Sequence, residues 1–226
     1  MLRAIIFDFD GVIADTEPLH LKAFQLTLME KGIELSDEDY FANYLAYDDK
    51  TLFKELLTDR NYEHNEALIS DFMNQKSEHF ERVLKGNILV LEGVPEFISE
   101  VSGKYPLAIG SGALRAEIVE ILESAALTEH FEIIVSADEV INCKPDPEVF
   151  IEALKRINDM DSVTQTITSD ECLVIEDSAS GIKAAHSAGM KCLAVTNSYA
   201  AQRLSEAELI TESLKGISLK EIEDLF

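Results

Sequence analysis

Two aspartates, Asp8 and Asp10, stand at the end of the first apolar run of the chain, residues 4–7. Side chains two residues apart at a strand end point to the same side of the sheet, so two carboxylates are predicted next to each other. Their repulsion is costly unless a cation or a shared proton offsets it. The spacing therefore predicts a chemical site, in which one carboxylate can act as a nucleophile and the other can exchange protons.

Polar residues also follow three later apolar runs. Ser111 and Gly112 follow the second run, Lys144 lies in the segment after the third, and the fourth run ends at Glu176 and Asp177. If the runs are parallel strands, their carboxyl ends meet at one edge of a sheet. The sequence thus predicts one crevice that holds carboxylates, a hydroxyl and an amine.

The predicted crevice suits a metal ion and a phosphate. Asp8, Asp177 and, less directly, Glu176 supply hard oxygen ligands of the kind that Mg²⁺ prefers. The amide groups around Gly112 precede a predicted helix, where unpaired N–H groups favour a phosphate, and Lys144 adds a positive charge. This set of groups is typical of phosphoryl transfer.

Each of these residues also has a structural interpretation. Asp8 and Asp177 could cap helices, Lys144 could be a solvated loop residue, and Ser111 could be an ordinary turn residue. The occurrence of all of them at strand ends favours the chemical interpretation. The small residues at 181–188 are predicted to provide close packing of a helix on the sheet, without a role in a site.

The elements that must position these side chains alternate along the chain. Segments with a helical period of apolar residues separate short apolar runs. The runs are continuous rather than alternating, as expected for strands that are covered on both faces. They are residues 4–7, 106–110, 133–135, 172–175 and 192–195. Such a pattern predicts parallel strands joined by right-handed crossovers. The predicted fold is α/β, a three-layer open parallel sheet.

The exception is a long insertion after the first strand. Helical periods begin near Leu21, Leu52 and Ile69, and no convincing strand occurs between residue 15 and about residue 92. We expect residues 15–92 to form an all-α cap domain and residues 1–14 with 93–226 to form the α/β core. Hinges are expected near residues 14–15 and 91–93.

Composition excludes several classes of protein. The 226 residues are 46% hydrophobic and carry a formal charge of -24, which disfavours nucleic acid or an anionic membrane as partner. No apolar run approaches the ~18 residues of a membrane span, and residues 1–7 resemble a core strand rather than a leader peptide.

The spacing of the three cysteines is unlike that of a zinc site, so Cys143, Cys172 and Cys192 are expected to be reduced thiols. We expect a cytoplasmic monomer.

Four sequence motifs in order resemble the haloacid dehalogenase-like hydrolases. They are DFDGVIADT, the serine of LAIGSG, the lysine of CKPDPEVF and the acidic pair of LVIEDSASG. The resemblance is greatest to the branch that holds β-phosphoglucomutase, phosphoglycolate phosphatase and sugar-phosphate phosphatases. It covers residues 1–14 and 93 to about 200, and the helical insertion stands where that branch has its cap.

The resemblance implies a role for each matching acidic residue. Asp8 would be the nucleophile and a magnesium ligand. Asp10 would be the general acid/base, with its backbone carbonyl also on the metal. Asp177 would bind Mg²⁺ directly and Glu176 through water. The dehalogenases of the wider family lack the second aspartate, so Asp10 favours phosphate chemistry.

The resemblance also implies the substrate contacts. Ser111 and Lys144 would hold the phosphate, together with the backbone near Gly11 and Gly112. Two cap residues are further candidates. His20 matches a histidine near the acid/base in the β-phosphoglucomutase branch, but could serve in packing or capping. Lys76 interrupts an apolar helix face, so it either extends to the surface or contacts substrate, as a lysine does in the mutase.

One departure from the family bears on the reaction. Where β-phosphoglucomutase carries an arginine for a second phosphate, this chain has residues 46–50, and Asp49 stands at the arginine position. A carboxylate there would repel a second phosphate. The prediction is therefore a magnesium-dependent phosphatase of a small phosphorylated metabolite, such as a sugar phosphate or a phosphoglycolate-like compound. A sugar phosphomutase is the alternative.

Two other classes are less consistent with the chain. A receiver-like signalling module also forms an aspartyl-phosphate beside Mg²⁺, but it is about half this length, lacks a helical insertion and has no need of Asp10 as an acid/base. A P-loop nucleotide enzyme is excluded because no glycine-rich loop ends in Gly-Lys-Ser/Thr.

Overall fold

The computed structural model describes residues 1–45, 47–84 and 90–226. Ala46 of the predicted substrate loop and residues 85–89 of the predicted cap lie outside the described residues. The chain divides into two compact units, Thr16–Asn87 and a second unit made of Met1–Asp15 and Ile88–Phe226.

In the described part of the inserted unit, all of the regular secondary structure is helical. Its helices are α1 (Glu17–Met29), α2 (Asp37–Asp39), which continues into a π-helical turn at Tyr40–Tyr44, α3 (Asp49–Asp59) and α4 (Glu66–Leu84). Helix α1 packs against α4, and the rings of Phe24, Phe53 and Phe72 meet in a buried core between the helices. The periodicity predicted α1, α3 and α4, whereas α2 is too short to produce one.

The other unit is built on a six-stranded parallel sheet. The strands are β1 (Ala4–Phe7), β2 (Leu107–Gly110), β3 (Ile133–Val135), β4 (Cys172–Glu176), β5 (Lys191–Val195) and β6 (Leu209–Thr211). Their order is β3-β2-β1-β4-β5-β6. The first strand therefore lies at the centre, where the chain reverses the direction in which it adds strands.

Helices cover both faces of this sheet. They are α5 (Val94–Val101), α6 (Arg115–Ser124), α7 (Glu148–Asn158), α8 (Ala179–Ser187) and α9 (Leu219–Glu223). Ile6 points into a core shared with α7 and α8, and Phe7 points to the opposite face, where its ring lies 6.1 Å from that of Phe97 in α5. The three-layer α/β prediction is confirmed. Burial on both faces is why β1 reads as a continuous apolar run.

The register of the sheet brings the strand ends together. Phe7 pairs with Ile109 of β2 on one side and with Ile175 of β4 on the other. Asp8 is the next residue, and its N–H donates to the Ile175 carbonyl at 2.9 Å. No helix in the part of the chain that the structure describes is long and apolar enough to cross a membrane.

Candidate active site

Asp8 is buried at the end of β1 and faces a lysine. Its Oδ1 lies 2.7 Å from Lys144 Nζ, an ion pair without hydrogen-bond alignment. Among the described residues, no group donates a hydrogen bond to this buried oxygen. A buried carboxylate oxygen without a donor is costly unless a ligand or ion completes its environment.

The environment of Asp8 disfavours its negative charge. Burial raises the pKa of Asp8 to about 7, the Lys144 ammonium opposes this increase, and the charges of Glu176 and Asp10 add to it. Asp10 itself is half-buried just beyond the strand. The two carboxylates predicted to be neighbours thus interact electrostatically, and a cation nearby would favour the ionised Asp8.

Glu176 is fully buried, and both of its carboxylate oxygens accept hydrogen bonds. Oε1 accepts a hydrogen bond from Lys144 Nζ at 2.8 Å, and Oε2 accepts from the Asp177 and Ser178 N–H groups and the Ser178 hydroxyl, each at 2.9 Å. Burial would raise the pKa of Glu176, but Lys144 and these hydrogen bonds hold it below its ordinary value. Glu176 therefore orients Lys144 and the turn after β4.

Gly181 in α8 is required by this arrangement. A Cβ at residue 181 would overlap the Glu176 carboxylate. The predicted close packing of this helix on the sheet includes Gly181, whose lack of a side chain leaves the space that the Glu176 carboxylate at the end of β4 occupies. The buried Ala184 and Ala185 keep the packing role.

Three acidic residues form a possible metal centre. Asp8, Glu176 and Asp177 each offer one oxygen, and these oxygens lie within 4.8 Å of one another. Burial and the charges of Glu176 and Asp8 raise the pKa of Asp177 well above its ordinary value. The three residues offer the hard oxygen ligands that divalent cations prefer. A cation would also offset the repulsion between their negative charges.

Lys144 is held by both carboxylates. Burial disfavours its charge, but Asp8 and Glu176 raise the pKa of Lys144 above its ordinary value, and its ammonium also lies 4.8 Å from the Phe150 ring. The lysine is therefore a fixed positive charge at the carboxyl edge of the sheet.

Ser111 follows β2 beside this cluster. Its N–H donates to the Val135 carbonyl and its Oγ accepts from the Ala113 N–H at 3.0 Å, so its own hydroxyl hydrogen can donate to a bound anion. A Cβ on Gly112 would meet no atom within 4 Å. Helix α6 starts at Arg115, three residues further on.

Gly11 makes the turn after β1. Its φ is +71°, and its N–H donates to the Ala14 carbonyl at 2.9 Å. A Cβ at this position would overlap Asp177 Oδ2. The glycine thus permits both the backbone conformation and the close approach of the turn to Asp177.

The two cap candidates contact each other within the helical unit. Lys76 is 3% exposed, and its Nζ lies 2.7 Å from His20 Nδ1 and 2.9 Å from Asp49 Oδ2. Burial and the Lys76 charge lower the pKa of His20, so its ring is neutral and Nδ1 accepts from the ammonium. Of the two alternatives for Lys76, its burial excludes extension to the surface. The Asp49 carboxylate compensates the charge of Lys76.

Comparison with known proteins places this geometry in a family. The model of the haloacid dehalogenase-like hydrolase family matches residues 5–195. A phosphorylated carbohydrates phosphatase from Thermotoga maritima is 30% identical over 194 residues, which are 84% of this chain and 83% of that protein.

Solved structures show the same fold. β-Phosphoglucomutase from Clostridium difficile superposes with a TM-score of 0.81 and 24% identity, over 99% of this chain and 96% of that one. CbbY from Rhodobacter sphaeroides in complex with xylulose 1,5-bisphosphate has a TM-score of 0.82 and 23% identity, over 96% of this chain and 97% of that one. With its motifs, fold and family match in agreement, this chain belongs to the haloacid dehalogenase-like hydrolases and is an enzyme of that family.

Proposed function

We propose that this enzyme is a magnesium-dependent phosphatase of small phosphorylated metabolites that forms an aspartyl-phosphate on Asp8. The observation that carries the proposal is the Asp8 carboxylate, buried beside Lys144 with one oxygen that no described residue hydrogen-bonds. Lys144 holds this oxygen in place, and a phosphoryl group transferred to Asp8 would lie beside the same ammonium. The phosphatase name of the Thermotoga maritima relative supports the same reaction.

In the first step, an Asp8 oxygen attacks phosphorus and the bond to the leaving oxygen breaks. Asp10 donates a proton to that oxygen, and then removes a proton from the water that hydrolyses the aspartyl-phosphate. Burial raises the pKa of Asp8 to about 7, and a nearby cation would lower it and so favour the ionised, nucleophilic carboxylate at neutral pH. Magnesium bound to Asp8, the Asp10 carbonyl and Asp177 would supply that charge.

The phosphoryl oxygens require donors from the chain. Lys144 supplies an ammonium that Glu176 holds in place, and Ser111 supplies a hydroxyl hydrogen. We propose that the backbone at Gly11 and Gly112 completes the phosphate site. These groups are fixed before substrate binds, so they can stabilise transition-state charge with little reorganisation.

The cap residues favour a substrate with one phosphate. His20 and Lys76 are proposed to contact substrate, His20 as a neutral ring with its hydrogen on Nε2. Because Asp49 compensates the Lys76 charge, this pair adds no net positive charge that would attract a second phosphate. We therefore favour a phosphatase over a phosphomutase. The three free cysteines fit a reducing compartment, and we propose a cytoplasmic location.

A phosphate-release screen tests the proposal. Purified enzyme is assayed against sugar monophosphates, sugar bisphosphates, phosphoglycolate and nucleoside monophosphates, with Mg²⁺ and with EDTA. We expect release from at least one monophosphate that requires Mg²⁺ and is abolished in Asp8→Asn. Conversion of hexose 1-phosphate to 6-phosphate without net phosphate release, after priming with a bisphosphate, would instead establish the mutase.

Selection against a second phosphate has its own test. Asp49→Asn leaves the Lys76 charge uncompensated, so the ratio of kcat/KM for a sugar bisphosphate to that for the matching monophosphate should rise. The exposed Asp71→Asn, on α4, is the control and should leave the ratio unchanged. A ratio that is equal in the wild-type enzyme and Asp49→Asn contradicts this part of the proposal.

A further inference from the structure

A fifth strand end reaches the site, and no sequence motif indicated it. The segment after β5 begins at Thr196, whose N–H donates to the Thr211 carbonyl of β6 at 3.0 Å and so fixes the start of the segment to the sheet. The next residue, Asn197, donates from Nδ2 to the Gly11 carbonyl at 2.7 Å. The turn that follows the nucleophile is thereby tied to a distant part of the chain.

The following residue, Ser198, reaches Asp177. Ser198 Oγ lies 2.7 Å from the point that a Cβ on Gly11 would occupy, and Asp177 Oδ2 fills that same space. Ser198 Oγ and Asp177 Oδ2 thus lie close to the same point beside Gly11, and the Ser198 hydroxyl acts to lower the pKa of Asp177, as a donor near its carboxylate does. Gly11, Asp177 and Ser198 therefore meet at one place, where the lack of a Gly11 side chain lets the other two side chains approach.

We propose that Ser198 and Asn197 are positioning residues of the magnesium site, Ser198 by orienting the Asp177 carboxylate and Asn197 by fixing the Gly11 turn against it. This inference rests on the proposed function, because it takes Asp177 as a metal ligand. Neither residue touches the reacting atoms. Their effect is on how well the ligand oxygens are arranged before the cation arrives.

The physical basis is the freedom of an acidic side chain. Asp177 is buried among other carboxylates, so without a donor its group would rotate away from Asp8 and Glu176 to reduce repulsion. A hydrogen bond from a fixed hydroxyl holds one rotamer. Loss of such an outer partner of a metal ligand typically weakens metal affinity about ten- to a hundredfold.

The test measures metal binding without turnover. Mg²⁺ alone is titrated into substrate-free wild-type protein, Ser198→Ala, Ser198→Thr and Asn197→Ala by isothermal calorimetry, and the Mg²⁺ dependence of phosphate release is measured in parallel. Ser205→Ala and Gln202→Ala are the matched controls, since both residues are exposed in the same segment.

We expect the Mg²⁺ dissociation constant to rise about ten- to a hundredfold in Ser198→Ala and to rise in Asn197→Ala. It should stay near the wild-type value in Ser198→Thr, which keeps the hydroxyl, and in both controls. At saturating Mg²⁺, kcat of Ser198→Ala should return to within a few-fold of wild type. This split between metal affinity and kcat separates a positioning role from a general structural one.

Two results would overturn the inference while leaving the phosphatase proposal intact. The first is wild-type Mg²⁺ affinity in Ser198→Ala. The second is a lower unfolding temperature of metal-free Ser198→Ala, which would assign Ser198 to the fold, because an exposed side chain should be removable without that loss. Failure of the wild-type protein itself to bind Mg²⁺ would instead overturn the proposed function, and this inference with it.

Discussion

Lys144 connects two carboxylates whose pKa values move in opposite directions. The pKa of Asp8 is raised to about 7, mainly by burial, and the pKa of Glu176 is lowered, because Lys144 and the Ser178 donors outweigh burial. Glu176 is therefore the permanent counter-ion that holds the lysine in place. Asp8 keeps an incompletely satisfied oxygen, as a nucleophile requires.

The Glu176 carboxylate fills the space that Gly181 leaves by having no side chain. Gly181→Ala places a methyl group where the Glu176 carboxylate lies, so either the carboxylate or helix α8 must shift. We expect the free energy of unfolding to fall by about 1–3 kcal/mol, as for other overpacked positions. We also expect phosphate release to slow, because Lys144 loses its partner.

Chemical denaturation and the phosphate-release assay measure the two effects. Lys183→Ala, an exposed position on the same helix, is the control and should change neither. Wild-type stability and turnover in Gly181→Ala would mean that the Glu176 carboxylate does not need its observed position.

The sequence was sufficient to predict the residues that follow buried strands. Asp8, Ser111 and Asp177 follow continuous apolar runs, and the carboxyl ends of parallel strands meet at one edge of the sheet, which leaves few alternative positions. The contact of Gly181 with Glu176 was missed, as were Asn197 and Ser198, because these contacts depend on which turn meets which helix. Polar residues that follow parallel strands lie at the same edge of the sheet. Asn197 and Ser198 follow β5, so the same argument would have indicated them.

At the scale of the elements, a buried charge joins three helices of the inserted unit. Lys76 of α4 contacts His20 of α1 and Asp49 of α3, and its ammonium lies 4.9 Å from the ring of Phe24 and 5.1 Å from that of Phe80. A lysine at 3% exposure needs such partners to remain charged. The free energy of unfolding of the helical unit should therefore depend on the ion pair between Lys76 and Asp49.

Removal of one partner tests this dependence. Asp49→Asn should lower the free energy of unfolding by about 1–2 kcal/mol, because it leaves the Lys76 charge buried without its counter-ion. Combining it with Lys76→Met should recover most of the loss, since a methionine of similar length carries no charge. Denaturant titrations of the two single variants and the double variant measure the coupling.

Lys50→Met is the matched control, because Lys50 is exposed and pairs with Glu66 at the surface. It should have little effect. Independent, additive effects of Asp49→Asn and Lys76→Met would show that the two side chains do not stabilise each other.

Element prediction succeeded where the apolar signal was long or continuous. The strands β1 to β5 and helices α1, α3 and α4 follow this rule. The strand β6 was missed, since Leu209–Thr211 has three half-buried residues at the sheet edge. The helix α5 was also missed, because it is short and begins at the predicted hinge, where the glycine at residue 93 suggested a break.

At the scale of the whole molecule, the acidic site couples protonation, metal binding and stability. In the metal-free protein Asp8 holds its proton up to about pH 7, whereas in the unfolded chain it releases it near its ordinary value of 3.8. The folded state binds more protons in that interval, so the contribution of Asp8 to stability falls as pH rises through it. The raised pKa of Asp177 acts in the same direction.

Magnesium should reverse this loss, because it binds the ionised carboxylates. We expect the Mg²⁺-induced increase in unfolding temperature to be larger at about pH 8 than at about pH 5.5, where protons compete for the same oxygens. Thermal unfolding with Mg²⁺ and with EDTA at both pH values measures it. Asp8→Asn should reduce the Mg²⁺ effect at the higher pH, and an equal Mg²⁺ effect at both pH values would contradict the proposed metal site.

The net charge of -24 requires that an anionic substrate be attracted locally. Lys144 and the proposed cation would provide that attraction, and each depends on the carboxylates at the ends of β1 and β4. The predicted exclusion of nucleic acid as a partner rests on the same charge. We propose that the buried Asp8 carries the phosphoryl group covalently.

Trapping of the intermediate tests that claim most directly. Enzyme mixed with Mg²⁺ and a turned-over phosphate ester is quenched with borohydride, which reduces an aspartyl-phosphate to homoserine, and the peptides are analysed by mass spectrometry. We predict homoserine at position 8 only with substrate and Mg²⁺, and none in Asp8→Asn. Phosphate release at the wild-type rate by Asp8→Asn, with no modified residue at position 8 in the wild-type enzyme, would contradict it.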